Sequence, residues 1–217
     1  MGLYAQVPKG IKENLEYRGQ VLQACKDLET QKQMVQACRD DILFWLNTFC
    51  WLYEPRKKGY GRKLVPFVTW DYQDDDIPKI QLAVLEGRNL LLKKSRDMGA
   101  TWTILYVLTH FSQFHQDNAF ALISRVESAV ERSVADPDTL FAKLDFIIER
   151  QPGWLVPRVS RRKNHLGCPQ LNCAIDGYST TGNVLRSGRK TGLFIDEYSA
   201  FDEQEGYAVN SATSGAA

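Results

Sequence analysis

The stretch from residue 89 to residue 111 changes character twice, and it constrains the fold more than any other part of the chain. It opens with an apolar run, Asn89-Leu90-Leu91-Leu92, which predicts a buried parallel strand. A polar turn follows, and the residues from Thr103 onward have the pattern of a covered helix. A loop that rises into a helix N-terminus presents free backbone N–H groups and the positive end of the helix dipole. This arrangement binds phosphate.

The polar turn matches the phosphate-loop pattern G-x-x-x-x-G-K-[ST] in part. Gly99 stands at the second glycine position, and Thr101 stands at the position of the hydroxyl that binds magnesium. Ala100 stands where the pattern has lysine, and Lys94 stands where it has the first glycine. The long side chain of Lys94 can approach the same phosphate oxygens from the opposite end of the loop. A solvated basic turn at residues 93–96 is the alternative interpretation.

A second stretch, residues 191–198, is an apolar strand that ends in the adjacent carboxylates Asp196 and Glu197. In a phosphate-loop ATPase the strand beside the loop ends in an Asp that holds Mg²⁺. A Glu next to it is placed to orient and deprotonate the attacking water. A solvent-facing acidic strand end is the alternative. Together the two stretches predict ATP and Mg²⁺ as ligands.

In their order and spacing these motifs resemble the large terminase subunits of tailed bacteriophages, the ATP-driven motors that package DNA. Residues 94–101 resemble the variant phosphate loop of that family, in which the lysine moves to the beginning of the loop. The acidic strand end resembles its second acidic motif, and residues 182–189 resemble the Arg/Gly-rich approach to it. Residues 67–73 resemble the adenine-recognition segment, with Gln73 as its glutamine.

The resemblance implies the α/β fold of a phosphate-loop NTPase of the additional-strand, catalytic-glutamate type. Such a fold has a mainly parallel central sheet flanked by helices, here preceded by an N-terminal helical segment. We therefore predict a helical segment at residues 1–60 and an ATPase core at residues 61–217. The family's coupling motif usually ends a further apolar strand, and none fits between Tyr198 and Ser211. The core is thus expected to be incomplete at its C-terminus, without the coupling motif or a nuclease domain.

The resemblance also assigns roles to individual residues. Thr101 and Asp196 are expected to hold Mg²⁺, and Glu197 is expected to activate water. Either Arg96, acting within its own subunit, or Arg125, reaching a neighbour's nucleotide, would stabilise the transition state. A structural salt bridge is the alternative for either arginine. The phosphates are expected to be bound by the loop, that is Lys94, Ser95, Arg96, Asp97, Met98, Gly99, Ala100 and Thr101.

The expected function is that of the ATPase portion of a viral terminase large subunit, which drives double-stranded DNA into a procapsid. The implied partners are double-stranded DNA, the small terminase subunit, the portal protein and further copies of the chain in a homo-oligomeric ring. The fragment alone is expected to be monomeric and weakly active or inactive. The expected location is the cytoplasm of the infected bacterial host. No membrane partner is expected, because no apolar run approaches the ~20 residues of a membrane span.

A net charge of +1 means that any contact with DNA has to come from local basic patches. Residues 56–63 carry cations between glycines, and we favour a solvated connector there. Residues 152–171 are rich in Pro, Arg and Lys, predict an exposed loop, and are the better candidate for contacting DNA phosphates. The basic residues of this loop are Arg158, Arg161, Arg162 and Lys163.

Two other classes of protein remain open. A helicase-like DNA-dependent ATPase shares the loop, the Asp-Glu pair and an upstream glutamine, but it normally has lysine at the position of Ala100. A non-catalytic nucleotide-binding module would result if Lys94 does not reach the phosphates. Zinc binding by Cys168, Cys173 and His165 is disfavoured, because a structural zinc site needs a fourth ligand.

The remaining segments are predicted from their hydrophobic periodicity. Residues 10–54 read as helical, with an aromatic segment that docks on the core. Strands are expected at residues 120–124, 172–175 and 184–185. One helix is expected to follow the first of these strands and to end at residue 135. Two more are expected around residues 138–150 and at residues 202–212.

Overall fold

The computed structural model describes residues 3–54, 56–57, 63–93, 95, 98–132, 136–179, 189–198 and 201 of the 217-residue chain. In these ranges the chain is a mixed α/β protein with seven α-helices, a two-stranded sheet and a five-stranded sheet. It divides into two units, Met1–Pro78 with Ile147–Pro157, and Lys79–Phe146 with Arg158–Ala217. The predicted helical segment, residues 1–60, lies within the first unit.

The helices and strands have the following bounds. The helices are α1 Ile11–Ala24, α2 Leu28–Asp40, α3 Ile42–Phe49, α4 Asp71–Leu85, α5 Ala100–Phe114, α6 Glu127–Val130 and α7 Leu140–Glu149. The strands are β1 Trp51–Tyr53, β2 Leu64–Pro66, β3 Ala119–Ser124, β4 Ser160–Arg162, β5 His165–Cys168, β6 Cys173–Ser179 and β7 Gly192–Ile195.

Residues 10–54, predicted to be helical, contain three helices of the first unit, and aspartates cap the starts of the second and the third. Asp27 accepts a hydrogen bond from Thr30 N at the start of α2, and Asp41 accepts one from Phe44 N at the start of α3, each at 2.9 Å. The predicted helix ends earlier than residue 54. Residues Trp51–Tyr53 form β1, which pairs antiparallel with β2. The physical reason is that aromatic residues also favour strands, and β2 supplies a partner.

A buried arginine joins three parts of the first unit. Arg18 of α1 is 3% exposed, and its guanidinium lies over the Trp51 ring, 5.1 Å from the centroid. It donates to Cys50 O at 2.7 Å and to Leu46 O at 3.4 Å, both at the C-terminal end of α3. It also donates to Phe67 O at 3.3 Å. The positive charge thus meets the carbonyls and the negative dipole end of α3.

The sheet of the second unit has the strand order β4-β5-β6-β3-β7. β3 pairs in parallel with β6 and with β7, whereas β4, β5 and β6 pair antiparallel. The sheet is therefore mixed rather than mainly parallel as predicted. Its centre is fully buried, because Phe120, Ala121, Leu122 and Ile123 of β3 are all 0% exposed.

The strand predicted at residues 89–92 is wrong. Residues 88–93 form neither helix nor strand, and Leu90 and Leu91 are 47% and 80% exposed. Residues 89–92 do not pair with the sheet, whose strand order in the described residues is β4-β5-β6-β3-β7. Apolar composition alone does not supply the hydrogen-bonded neighbour that defines a strand.

Most of the other predicted elements are present. β3, β7, α5 and α7 are confirmed, and the strand predicted at residues 172–175 continues as β6 to Ser179. The helix predicted up to residue 135 is described only as α6, and residues 133–135 lie outside the described residues. The predicted strand at 184–185 and helix at 202–212 also lie outside them. Residues 152–171, predicted as an exposed loop, contain the hairpin β4–β5.

A glycine allows two helices to approach the sheet closely. A Cβ atom added at Gly177 of β6 would lie 2.5 Å from Phe141 Cε2 of α7 and 2.5 Å from Val130 Cγ1 of α6. Phe141 and Val130 are both 0% exposed, so neither has room to move outward. The absence of a side chain at Gly177 is therefore a condition for this packing.

We expect Gly177→Ala to lower the free energy of unfolding by about 1–3 kcal/mol, because overpacking a filled core has a cost of that size. Urea unfolding followed by circular dichroism measures it. Gly19→Ala is the matched control, since a Cβ at Gly19 of α1 would meet nothing within 4 Å. That variant should be neutral or up to ~1 kcal/mol more stable. Equal stability of the two alanine variants would contradict the packing seen around Gly177.

In the described ranges, no helix combines the length and the hydrophobicity needed to cross a membrane. All five cysteines are buried free thiols.

Candidate functional site

The start of α5 has the backbone geometry of a loop that ends on a glycine. Gly99 precedes the helix with φ 69 and ψ 15, in the left-handed region that a residue with a Cβ rarely adopts. Thr103 N and Thr103 Oγ1 both donate to Gly99 O, at 2.9 and 3.1 Å. The left-handed backbone conformation thus explains why a glycine stands at this position of the loop. The first N–H groups of α5 have no acceptor within the helix and point toward the preceding loop.

The acidic pair lies at the carboxyl end of β7, beside the interior strand β3. The two strands are parallel, with Ile123 opposite Ile195, and Asp196 N donates to Ile123 O at 2.9 Å. Glu197 is exposed and has φ 54, which is uncommon for a residue other than glycine. Left-handed residues of this kind are frequent at functional sites.

The structure brings the two predicted magnesium ligands together. Thr101 Oγ1 donates a hydrogen bond to Asp196 Oδ1 at 3.1 Å, although the two residues are 95 positions apart in sequence. Neighbouring oxygens in an octahedral magnesium shell, with bonds of about 2.1 Å, lie about 3 Å apart. The two oxygens therefore fit adjacent positions around one magnesium ion. Within the described ranges, no group of three or more His, Cys, Asp and Glu residues could hold a metal. Magnesium is usually bound through one or two carboxylates together with substrate phosphates and water.

A lysine and three aromatic rings lie next to this pair. Trp102, which follows Thr101, packs against Tyr106 and Phe146 with ring centroids 6.1 and 5.5 Å apart. Lys143 Nζ of α7 lies 6.0 Å from the Trp102 centroid and donates to Asp138 O. Burial lowers the pKa of Lys143, and the charges of Asp138, Asp196 and Asp136 offset this only in part.

Sequence reasoning missed Lys143 because it lies in an apolar helix, Leu140–Glu149, with no motif around it. Its place beside Trp102 follows from the packing of α7 and carries no local sequence signal.

The other predicted loop residues are only partly described. Ser95 is exposed, whereas Met98, Gly99 and Ala100 are half-buried. The remaining predicted residues of the loop, Lys94, Arg96 and Asp97, lie outside the described residues.

Arg125 is exposed and directly follows β3. Since β3 and β7 are parallel, Arg125 and Asp196 follow strand ends on the same edge of the sheet. The structure does not choose between Arg96 and Arg125 as the arginine that stabilises the transition state, and both remain predictions.

Gln73 belongs to the first unit and contributes to the start of α4. It is 5% exposed, and its Oε1 accepts a hydrogen bond from Trp70 N at 3.0 Å. Gln73 N in turn donates to Trp70 O at 2.8 Å. The side chain thus satisfies a backbone N–H group at the helix start. A role for Gln73 in reading adenine stays a prediction.

Three of the basic residues proposed to contact DNA, Arg161, Arg162 and Lys163, lie on the β4–β5 hairpin, and two of them form ion pairs. Arg161 bonds Glu131 through Nη2 and Asp145 through Nε, each at 2.7 Å. Lys163 pairs with Glu127 at 2.7 Å. Arg161 therefore fixes the hairpin to Glu131 and to Asp145 of α7, and these ion pairs make Arg161 a weaker candidate for contacting DNA. A role for the hairpin in DNA binding stays a prediction.

A second polar cluster lies where β5, β6 and the approach to β7 meet. Asp176 bonds His165 Nδ1 at 2.7 Å and Lys190 Nζ at 2.5 Å. Burial alone would raise the pKa of Asp176, but the bonds from His165 and Lys190 outweigh it, and the pKa is lowered. Cys168 and Cys173, considered above with His165, lie opposite each other in the antiparallel β5–β6 pair.

No protein-family model matches the chain, and no curated protein matches it significantly in sequence. The chemistry of the site therefore has to be inferred from its own residues. These are a helix N-terminus for anions, a hydroxyl and a carboxylate for a divalent cation, and an adjacent exposed carboxylate that can accept a proton.

Proposed function

We propose that the chain is the ATPase portion of a viral terminase large subunit, which hydrolyses ATP to drive double-stranded DNA into a procapsid. The observation that carries this proposal is the hydrogen bond of 3.1 Å between Thr101 Oγ1 and Asp196 Oδ1. It brings together the end of the loop motif and the end of the acidic strand, which supply the hydroxyl and the carboxylate that hold Mg²⁺ in phosphate-loop NTPases. The left-handed Gly99 before α5 and the parallel pairing of β3 with β7 support the same fold.

In this proposal each residue of the site has one task. The N–H groups at the start of α5 bind the phosphates, and Lys94 neutralises part of their charge. Thr101 and Asp196 hold Mg²⁺, which when bound would neutralise charge on the β- and γ-phosphate oxygens. Glu197 takes a proton from the water that attacks the γ-phosphorus, so that the bond to the β,γ-bridging oxygen breaks and ADP and phosphate leave.

The assembled motor would be a homo-oligomeric ring in the cytoplasm of the infected bacterium, bound to the portal protein and assisted by the small terminase subunit. The ring, the portal and the small subunit rest on the family resemblance alone. DNA would be contacted through its phosphates without reading of the sequence, for which Arg158, Arg162 and Lys163 are the candidates.

The proposal is tested by magnesium-dependent binding of ATP. We expect Thr101→Val and Asp196→Asn to bind ATP about 10-fold to 100-fold more weakly than the wild type when Mg²⁺ is present. A bond to a charged group contributes roughly 1.5–3 kcal/mol, which corresponds to such factors. With EDTA in place of Mg²⁺ the variants and the wild type should bind ATP equally. Isothermal titration calorimetry measures both conditions.

Asp75→Asn is the matched control, because Asp75 is an exposed carboxylate of α4. It should bind ATP as the wild type does. A wild-type chain without magnesium-dependent ATP binding would refute the proposed function. A chain that binds ATP equally well with and without Mg²⁺ and hydrolyses none would instead be a nucleotide-binding module.

A further inference from the structure

Lys143 is held next to the proposed site by an aromatic platform. Its ammonium lies 6.0 Å from the centroid of Trp102, the residue that follows Thr101. Trp102 itself stacks on Tyr106 and meets the edge of Phe146. An ammonium attracted to the face of an aromatic ring stays in a restricted region near that ring.

The charges around Lys143 include the proposed magnesium ligand. Asp196, Asp138 and Asp136 are the carboxylates whose charges act on the ammonium. An ammonium has three N–H donors, and among the described residues one of them is used, in the bond to Asp138 O. Because the group is partly buried, its attraction to an arriving anion is screened less than that of a surface lysine.

The phosphates of a bound nucleotide would lie near the Lys143 ammonium. Oxygens that share a magnesium ion with Thr101 and Asp196 would lie within a few ångströms of Asp196. The loop offers only a methyl group at Ala100, where the phosphate-loop pattern has a lysine. A cation from another element would add to the positive charge that Lys94 supplies in the proposed function.

We propose that Lys143 is a second phosphate-binding cation of the nucleotide site, supplied by α7 rather than by the loop, and that it contacts the terminal phosphates of ATP. This inference rests on the proposed function. It assigns Lys143 to the binding of ATP and ADP and gives it no part in recognising adenosine. In the absence of nucleotide, Asp138 O and the nearby carboxylates hold the ammonium in place.

The test compares two replacements of Lys143. Lys143→Met keeps an unbranched, mainly aliphatic side chain but removes the charge, and Lys143→Arg keeps the charge. We expect Lys143→Met to bind Mg·ATP and Mg·ADP about 10-fold to 100-fold more weakly, as for loss of a bond to a charged group. Lys143→Arg should recover most of the affinity, and Lys32→Met, which removes an exposed lysine of α2, should change nothing.

Tryptophan fluorescence gives a second measurement, which nucleotide would not change if Lys143 had only a structural role. Nucleotide binding should change the emission of the wild-type chain, because the ammonium beside Trp102 changes its partner. Trp102→Phe should lose this change. Lys143→Met should show no change even at ATP concentrations that saturate it.

The outcomes separate the two proposals. If the wild type binds Mg·ATP and Lys143→Met binds it equally well, Lys143 is not a phosphate ligand and the proposed function stands. If Lys143→Met and Lys143→Arg weaken binding equally, packing rather than charge explains the loss and the inference also fails. If Lys143→Met does not fold, Lys143→Gln takes its place with the same expected loss. If the wild type does not bind Mg·ATP, both proposals fall together.

Discussion

Replacing Glu197 by glutamine is expected to lower the rate of ATP hydrolysis by about 10²-fold to 10⁴-fold, the usual contribution of a general base. The affinity for Mg·ATP should stay within about twofold of the wild-type value, because glutamine has nearly the same shape and the lost interaction belongs to the transition state. Glu197 is exposed at the carboxyl end of β7, directly after Asp196, where an attacking water can reach it. Single-turnover hydrolysis of ATP, with double-stranded DNA present, measures the rate.

Glu149→Gln is the matched control, since Glu149 is an exposed carboxylate at the end of α7. It should hydrolyse ATP at the wild-type rate. An unchanged rate in Glu197→Gln would show that another group accepts the proton. A parallel loss of nucleotide binding would show that Glu197 acts on the structure of the site, where its φ of 54 already marks an unusual backbone.

Arg18→Met is expected to give the largest loss of stability, about 3 kcal/mol. The change removes the guanidinium from Cys50 O, Leu46 O and Phe67 O, and a buried acceptor that loses a donor costs roughly 1–3 kcal/mol. The cost falls mainly at Phe67 O, because Cys50 O and Leu46 O each keep a backbone donor, at 3.0 and 3.2 Å. Asn14 Oδ1, which accepts from Arg18 Nε at 2.6 Å, loses a donor as well. For a chain of this size, such a loss lowers the melting temperature by roughly 6–12 °C. Differential scanning calorimetry measures it.

Arg39→Met is the control for this prediction, because Arg39 is exposed on α2. Its effect should stay within about 0.5 kcal/mol, as for most surface substitutions. Equal melting temperatures for the two methionine variants would mean that the carbonyls around Arg18 find other donors, and that the arginine is dispensable.

The elements that the sequence predicted well are those whose signal is local. α5 and α7 have long apolar faces, and β3 and β7 are short apolar runs between polar turns, so composition and periodicity suffice. Residues 89–92 have the same composition as a buried strand, but a strand also needs a neighbour, and the sequence does not show which neighbours are taken. The β4–β5 hairpin was missed for the opposite reason, since Arg161 and Arg162 have the composition of a solvated loop.

The candidate site likewise contains residues that the sequence predicted and residues that it did not. Thr101 and Asp196 were predicted because each lies in a motif of fixed spacing, and the structure places their oxygens in contact. Lys143 and Trp102 were not predicted, because their contact depends on how α7 packs against α5. The hydrogen bond from Trp70 N to Gln73 likewise depends on the folded start of α4. From the sequence, Gln73 was therefore predicted to bind adenine and not to cap a helix.

The bond between Thr101 and Asp196 has an entropic consequence for ligand binding. Immobilising a side chain when a ligand arrives costs roughly 0.5–1.5 kcal/mol. In this chain both side chains are already ordered by each other before any nucleotide is present. The two side chains lose their rotational entropy during folding and not during binding. The hydroxyl and the carboxylate are therefore already oriented when a magnesium nucleotide binds.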